Sequence, residues 1–182
     1  MLVDSAAQVA AVEPQKGMRE ELLKCGYNVY EDISEVSDSS FEIITLFHVL
    51  EHFTNPVKTL QEIAAKLEKG GKIIIEIPHA NDFLLSWFDL ESFKEFTFWS
   101  EHLILHTRQS LKVFLENSGF INISIKGIQR YPLANHLYWL SRGKPNGHNR
   151  WSHLSTEALD NAYADMLASL DCTDTLLAIA ER

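Results

Sequence analysis

The stretch FEIITLFHVLEHFTNPVKTLQEIAAKLEKGGKIIIEIP, residues 41–78, decides the fold. Its first seven residues are mostly apolar and rich in β-branched and aromatic side chains, which predicts a buried strand. Pro56 then favours the start of a helix, whose apolar residues recur at helical spacing until the glycines at 70–71 end it. Residues 72–77 form a second apolar strand. Strand, helix and strand in this order predict a βαβ unit with parallel strands and a right-handed crossover.

The segments on both sides of this unit continue the alternation of strands and helices. Upstream, the pattern predicts a strand over residues 8–12, a helix over 15–25 and a strand over 27–30. Downstream, it predicts short helices over 79–106, a helix capped by Thr107, a strand over 121–128, helices over 133–140 and 156–170, and a last strand over 175–180. This order predicts an α/β fold with a doubly wound, mostly parallel sheet of the Rossmann-like type and an antiparallel C-terminal strand.

Composition and charge limit the class of protein. The chain has 182 residues, 46% hydrophobic and 23% charged, which is typical of one soluble domain with a sizeable core. A formal net charge of −9 argues against a general nucleic-acid binder. The two cysteines, Cys25 and Cys172, lie far apart and indicate a reducing, cytoplasmic setting. No apolar run approaches the ~20 residues of a membrane span, and whether the chain forms an oligomer stays open.

Histidines and a glutamate follow the two strands of the βαβ unit. His48, Glu51 and His52 come directly after the first strand, and His79 follows the second. Because ligands of parallel sheets bind beyond the carboxyl ends of the strands, this edge is the predicted site. The aromatic-rich segment 79–106 comes next and is predicted to form a lid over it.

Five motifs together carry a family resemblance. The runs VAAVEP, YNVYED, ITLFHVLEHF, GGKIIIEIP and SLKVFLENSGF occur in the order that the class I S-adenosylmethionine-dependent methyltransferases show. The chain resembles this family over residues 8–125 and again in TLLAIAER at its end. The closest type is the branch related to ubiquinone-biosynthesis O-methyltransferases and sugar methyltransferases. The resemblance implies methyl transfer from S-adenosylmethionine to an oxygen or carbon of a small or lipid-linked metabolite.

The resemblance also implies a set of cofactor-binding residues. Glu13 matches the acidic residue that holds the ribose hydroxyls, a role that suits a carboxylate because it can accept from both. Asp32 matches the residue that contacts the adenine amino group, with Ile33 packing on the ring. Phe47 and His48 match positions that line the methionine end of the cofactor.

Three histidines are candidates for proton abstraction. Methyl transfer from a sulfonium needs alignment, and a hydroxyl acceptor also needs a base with a pKa near neutrality. His102, His106 and His79 fit this role by residue type. The alternative for His102 is structural, with its hydrogen bonds holding the lid.

The chain departs from the family before Glu13. The first strand and glycine-rich loop of the family should precede that residue by about 20 positions, but only twelve residues do, and none is glycine. We therefore expect a single, N-terminally truncated domain over 1–182, with a lid at 79–106 and an insertion at 130–170. Such a chain is expected to bind the cofactor weakly by itself. The rival interpretation is a non-catalytic methyltransferase-like partner protein, and Glu31 is an alternative to Asp32 in the adenine contact.

His48, Glu51 and His52 also match the H-x-x-E-H pattern of zinc peptidases. That chemistry requires one continuous helix, whereas a β-rich run leads into His48 and the next helix begins only near Pro56. A zinc hydrolase is therefore a distant alternative. Ubiquinone-type relatives carry an E-x-x-E-H stretch here that can hold a divalent metal, but the preferred interpretation is that Glu51 and His52 brace the cofactor pocket and that no metal is used.

Residues 117–156 form an acid-free basic segment in an acidic chain. This segment contains five lysines and arginines, interleaved with aromatic residues, and no Asp or Glu. Arg142 and Arg150, with Trp139 and Trp151, are predicted to bind an anionic small-molecule acceptor such as a sugar nucleotide or a phospholipid-like carrier. The alternative is a solvated loop whose tryptophans pack on the core.

Overall fold

Two sheets organise the protein. The computed structural model describes residue 6, residues 8–99 and residues 101–182. Strands β1 (Ala10–Val12) and β2 (Asn28–Tyr30) pair in parallel in a two-stranded sheet. The second sheet has four strands in the order β3 (Phe41–Phe47), β4 (Leu67–Pro78), β6 (Thr175–Glu181) and β5 (Ile121–Ile128).

The strand directions confirm the predicted fold class. β3 and β4 pair in parallel, and β6 pairs antiparallel with both β4 and β5. Because β6 runs against both neighbours, β3, β4 and β5 share one direction, and the C-terminal strand is the antiparallel one. The carboxyl ends of β3 and β4 therefore meet at one edge of the sheet, as the βαβ unit predicts.

Eight helices of the described residues surround the sheets. They are α1 (Lys16–Lys24), α2 (Pro56–Lys66), α3 (Phe83–Ser86), α4 (Glu91–Thr97), α5 (Arg108–Asn117), α6 (Leu133–Arg142), α7 (Gly147–Arg150) and α8 (Glu157–Ser169). Short 3₁₀ helices cover Ile33–Glu35, Leu50–His52 and Ser152–Leu154. The predicted helix starts hold: Asn55 caps α2, and Thr107 forms a capping box with Ser110 at α5.

The main core lies between the four-stranded sheet and helices α2 and α5. Alternate residues of β4, namely Ile73, Ile75 and Ile77, are fully buried. They pack in one cluster with Leu60 of α2 and Leu111 of α5. Each such side chain contributes roughly 1.5–3 kcal/mol by its removal from water, so this cluster holds the carboxyl ends of β3 and β4 in place.

The end of α2 differs from the prediction. The helix was expected to continue to the glycines at 70–71, but it ends at Lys66, and Leu67 already belongs to β4. Leu67 is fully buried and pairs with Phe41, and the Lys66 ammonium lies 2.8 Å from Asp38. Burial of Leu67 in the sheet thus outweighs the helical pattern, and the glycines lie within β4 beside a register shift between residues 41 and 43.

The segment 79–106 forms short helices, as expected from its lack of a regular period. Its two ends are joined, because His79 and His106 form a parallel β-bridge. Between these ends the chain builds α3 and α4. The predicted loop at 142–153 likewise contains α7, where Asn146 adopts a left-handed φ of 82° just before the helix.

The two sheets are not hydrogen-bonded to each other in the described part of the chain. Apolar side chains of both sheets are half exposed, with Val12 at 42%, Ile43 at 55% and Phe47 at 51%. The sequence predicts that a glycine-rich loop is missing before Glu13. In that stretch, residues 1–5 and 7 lie outside the residues that the structure describes.

Candidate active site

A cavity of about 650 Å³ opens beyond the carboxyl end of β4. Aromatic side chains from α4, α6 and the connecting segments form its walls: Phe93, Phe96, Trp99, Tyr131 and Trp139. Its polar lining includes His79, Asp82 and Asp174. A cavity of this size, with apolar walls and a few convergent polar groups, is typical of a small-molecule site.

His79 lines this cavity and has one ring nitrogen without a hydrogen-bond partner among the described residues. The residue follows β4 directly, and its side chain is only 1% exposed. Its Nδ1 lies 3.0 Å from the carbonyl oxygen of Thr173. A carbonyl only accepts, so Nδ1 carries the hydrogen and Nε2 carries the lone pair. Nε2 has no hydrogen-bond partner among the described residues, and burial lowers the pKa of His79. His79 is therefore neutral near pH 7 and able to accept a proton.

Asp82 is a buried carboxyl group in the same cavity. Its Oδ1 accepts from the backbone N–H of Leu84 at 2.7 Å and caps α3. Burial raises the pKa of Asp82 to about 7, and the nearby Asp174 adds to the effect. The group is consequently half protonated near neutrality, when it can donate as well as accept a hydrogen bond.

Asp174 and His136 complete the polar lining. The Asp174 carboxylate accepts from the backbone N–H groups of Arg130 and Tyr131 at 3.0 Å each, and burial raises its pKa. His136 Nδ1 lies 2.7 Å from the Tyr163 hydroxyl, and burial lowers the pKa of His136 to about 4. Both groups are hydrogen-bonded to neighbouring residues. They therefore shape the cavity rather than offer unpaired atoms for a ligand.

His48 joins the cavity to the end of β3. It adopts a left-handed φ of 55°, which turns the chain sharply out of the strand. Its Nε2 lies 2.5 Å from Arg130 Nη1, and that guanidinium also donates to Glu76 at 3.0 Å. His48 Nδ1 lies 3.4 Å from Glu51. Arg130 was not among the predicted acceptor-binding residues, although its place in the basic segment was a signal for it.

Glu51, His52 and His102 form a second cluster beside the cavity. One ligand atom of each lies within 4.8 Å of the others. His102 also lines the cavity. The helix here covers only Leu50–His52 and is of the 3₁₀ type, with His48 outside it. The continuous helix that the zinc-peptidase pattern requires is therefore not formed.

The other predicted catalytic histidine lies outside the cavity lining. His106 is fully buried, its Nδ1 lies 3.3 Å from the Ser110 hydroxyl, and its ring packs edge-on against Phe114. Burial lowers the pKa of His106. Of the three histidines, the structure brings His79 and His102 into the cavity lining and leaves His106 in the packing of α5.

The predicted cofactor residues lie at strand ends. The backbone N–H of Glu13 donates to Tyr30 at 2.9 Å, which holds the ends of β1 and β2 side by side. One oxygen of Glu13 accepts from Gln15, and one oxygen of Asp32 accepts from the hydroxyl and backbone of Ser34. Those two bonds lower the pKa of Asp32. Each carboxylate keeps a second oxygen without a partner in the described chain.

Three further residues complete this comparison with the predictions. Glu31 is engaged by Arg19 at 2.8 Å, which leaves Asp32 as the freer of the two acids. Ile33 is half-buried and packs against the main core. Phe47 is half exposed at the end of β3, beside His48.

The predicted acceptor-binding residues fall into two groups. Trp139 is 3% exposed, lines the cavity and meets Phe93 at 5.0 Å between ring centroids. Trp151 instead packs edge-on against Tyr138, and the Arg142 and Arg150 side chains are exposed outside the cavity lining. Pro145 and Asn146, which lie between these arginines in sequence, do line the cavity.

Comparisons with known proteins identify the type of domain. A family model described as a methyltransferase domain matches residues 2–125. An uncharacterized protein of Methanocaldococcus jannaschii is 28% identical over 121 residues, 66% of this chain and 55% of that protein. The mitochondrial ubiquinone biosynthesis O-methyltransferase of Candida albicans is 36% identical over 90 residues, 47% of this chain and 26% of that enzyme. A SAM dependent methyltransferase from Archaeoglobus fulgidus superposes with a TM-score of 0.61 at 18% identity, over 95% of this chain and 75% of that one.

The alignments cover only part of these relatives. The chain spans about half the length of the Methanocaldococcus protein and about a quarter of the Candida enzyme. Within the described residues, none of the helices combines the length and the apolar character that crossing a membrane requires.

Proposed function

Because the chain belongs to the methyltransferase domain family, we propose that it transfers a methyl group from S-adenosylmethionine to an oxygen or carbon of a small anionic acceptor. The observation that carries the proposal is the cavity beyond β4, which His79 lines together with several aromatic side chains, while the Nε2 of His79 has no hydrogen-bond partner among the described residues. The cavity reaches the end of β3 through His48, one of the residues matched to the cofactor site.

The strand ends fit the cofactor. S-adenosylmethionine supplies a methyl group on a sulfonium. In this proposal, the free oxygens of Glu13 and Asp32 accept hydrogen bonds from the ribose hydroxyls and the adenine amino group. Phe47 presents a half-exposed apolar ring beside His48, and such a surface suits the methionine end. In this proposal Ile33 packs against the adenine.

His79 is assigned the role of base. Its Nε2 takes the proton of the acceptor group as the acceptor oxygen or carbon forms the new bond to the methyl carbon. The bond between that methyl carbon and sulfur breaks, and its electron pair stays on sulfur. The Nδ1–H of His79 remains bonded to Thr173 throughout, which fixes the ring. A base of this kind typically contributes a factor of about 10²–10⁴.

The acid-free basic segment supports an anionic acceptor. Residues 130–148 of this segment supply much of the cavity lining, including Arg130 and Trp139. Asp82 is protonated about half of the time near pH 7, because burial raises its pKa to about 7, and burial also raises the pKa of Asp174. The carboxyl groups of the cavity thus oppose an anion less than their number indicates. Arg142 and Arg150 flank the cavity-lining residues 145–146 in sequence and add attraction from outside.

An assay of S-adenosylhomocysteine release tests the proposal. The full chain is incubated with S-adenosylmethionine and a panel of sugar nucleotides, lipid-linked phosphates and catechols. We expect release with an anionic class, a raised acceptor KM and stronger salt sensitivity in Arg142→Ala and Arg150→Ala, and the same cofactor affinity. Turnover that is independent of salt and unchanged in both variants would refute the anionic acceptor. Cofactor binding without turnover of any class favours the non-catalytic partner instead.

A further inference from the structure

Two cavities of the protein share Arg130. Besides the cavity beyond β4, a smaller cavity of about 200 Å³ is lined by residues 129–132 and by three residues of α8. Arg130 and Tyr131 belong to the lining of both cavities. Among the described residues, Arg130 is also the only lysine or arginine that lines either of them. A ligand that fills both cavities therefore contacts Arg130.

The backbone at Arg130 is fixed by Asp174. The backbone N–H groups of Arg130 and Tyr131 each donate to the Asp174 carboxylate at 3.0 Å. The Gln129 side-chain amide adds two bonds, because its nitrogen donates to Asp174 Oδ2 at 2.9 Å and its oxygen accepts from the backbone N–H of Asp174 at 3.0 Å. The base of the Arg130 side chain is thus held between the ends of β5 and β6, which reduces the entropy that a ligand contact would cost.

The Arg130 guanidinium has one occupied side and one free edge. Its Nη1 lies 2.5 Å from His48 Nε2 and 3.0 Å from Glu76 Oε1. Its Nε and Nη2 have no hydrogen-bond partner among the described residues, and the side chain is 43% exposed. These two nitrogens form a planar fork that matches two oxygens of one phosphate or carboxylate group. His48 and Glu76 therefore orient the guanidinium and leave the fork available for an anion.

The position of Arg130 at both cavities selects the kind of anion. A carboxylate ends the branch that carries it, whereas a phosphodiester or a diphosphate keeps its negative charge while it links groups on both sides. The larger cavity has aromatic walls, and the smaller one is lined by Asp160 and Asn161. Asp160 Oδ1 is buried without a hydrogen-bond partner in the described part of the chain. A hydroxyl-bearing group, which donates hydrogen bonds, suits this smaller cavity.

We propose that Arg130 binds a phosphate group that links the two ends of the methyl acceptor. The methyl-accepting end lies in the cavity that His79 lines, and a hydroxyl-bearing end lies in the smaller cavity at α8. The term acceptor rests on the proposed function, whereas the phosphate contact itself requires no methyl transfer. The proposal narrows the anionic acceptors to phosphodiesters and diphosphates, a chemistry that nucleotide-linked sugars and phospholipid headgroups share.

Calorimetry on the full chain, without S-adenosylmethionine, tests the phosphate contact. UDP-glucose is compared with UDP, and glycerophosphoglycerol is compared with glycerol phosphate. The first compound of each pair has groups on both sides of its phosphate, and the second has a group on one side only. We expect at least one linked compound to bind about tenfold or more tightly than its shorter partner. The pair that shows this preference identifies a nucleotide sugar or a phospholipid headgroup as the source.

Three variants separate the fork of Arg130 from its charge. Arg130→Gln removes both, Arg130→Lys keeps the charge without the fork, and Lys112→Gln removes an exposed charge of α5 outside both cavity linings. The preferred compound should bind about tenfold or more weakly to both Arg130 variants and with unchanged affinity to Lys112→Gln. Circular dichroism identifies any variant that fails to fold, and Arg130→Lys preserves the charge opposite Glu76.

The contrary outcomes are equally specific. Wild-type affinity in either folded Arg130 variant, an equal loss in Lys112→Gln, or linked compounds that bind no more tightly than their shorter partners would each overturn the proposal. Absence of binding by the wild type at millimolar concentration would also overturn it. Methyl transfer is read separately, by release of S-adenosylhomocysteine. A chain that binds a linked phosphate through Arg130 but transfers no methyl group would support this contact and contradict the proposed function.

Discussion

Replacing Asp82 by asparagine should remove a pH-dependent loss of stability. Burial raises the pKa of Asp82 from 3.8 to about 7 in the folded protein. Between these values the folded state holds a proton that the unfolded state has released, so the free energy of unfolding falls as pH rises. The loss begins near pH 4 and is complete just above pH 7. Asparagine keeps the cap on the backbone N–H of Leu84 but cannot ionise.

The magnitude follows from the two pKa values. At roughly 1.4 kcal/mol per pKa unit, the ionisation of Asp82 costs the folded state about 4 kcal/mol in total. Between pH 5 and pH 8 the wild type should lose about 2–3 kcal/mol of that. His136 acts in the opposite direction, because burial lowers its pKa from 6.5 to about 4, so the folded state gains stability as pH rises between these two values. The difference between variant and wild type cancels this second contribution.

Urea unfolding at pH 5 and pH 8 measures the effect. The free energy of unfolding of Asp82→Asn, minus that of the wild type, should be larger by about 2–3 kcal/mol at pH 8 than at pH 5, so the variant is relatively more stable at the higher pH. Asp165→Asn, an exposed residue of α8, is the matched control and should give the same relative stability at both pH values. If Asp82→Asn also parallels the wild type at both pH values, the carboxyl group is not buried as described.

Three further substitutions test other parts of the account. In an active preparation, Glu13→Ala should weaken S-adenosylmethionine binding by about 1–3 kcal/mol in calorimetry, and unchanged affinity with an intact fold removes Glu13 from the site. His79→Asn should lower kcat by a factor of about 10²–10⁴ and abolish the acidic limb of the pH–rate profile while cofactor affinity stays the same; an unaltered profile refutes the base. Gly147→Ala should destabilise the protein by about 1–3 kcal/mol, because the added Cβ would lie 2.8 Å from the Cα of Asn135 and closer still to Tyr138. Gly17→Ala, where nothing lies within 4 Å, is the control, and equal stability of the two variants would contradict the close packing of α6 on α7.

The fold was accessible from the sequence because its signals are local. The βαβ unit is predicted by runs of β-branched residues, by a proline in the first turn of α2 and by the helical spacing of leucines and isoleucines. The C-terminal end of α2 could not be predicted in the same way. Whether Leu67 ends a helix or begins a strand depends on its pairing with Phe41, which a local pattern does not contain.

The candidate site could be predicted only in part, because several of its residues come from distant parts of the chain. His79 and Trp139 were identified by residue type and position, and both line the cavity. Asp82 was missed, although an acid before an apolar run is a cap signal. What distinguishes Asp82 is its burial, in a cavity that it lines together with residues between 130 and 148 from a distant part of the chain. Arg130 was missed because its partner His48 lies 82 positions away.

Hydrogen exchange with S-adenosylhomocysteine tests the central claim most directly. The claim is that the ends of β1, β2 and β3 hold the cofactor beside the cavity. With the full chain and millimolar ligand, which saturates even a weak site, amide exchange should slow at residues 12–13, 32–34 and 47–49 and stay unchanged in α8. Slowed exchange confined to other parts of the chain, or no change at all three strand ends, would contradict the proposed function.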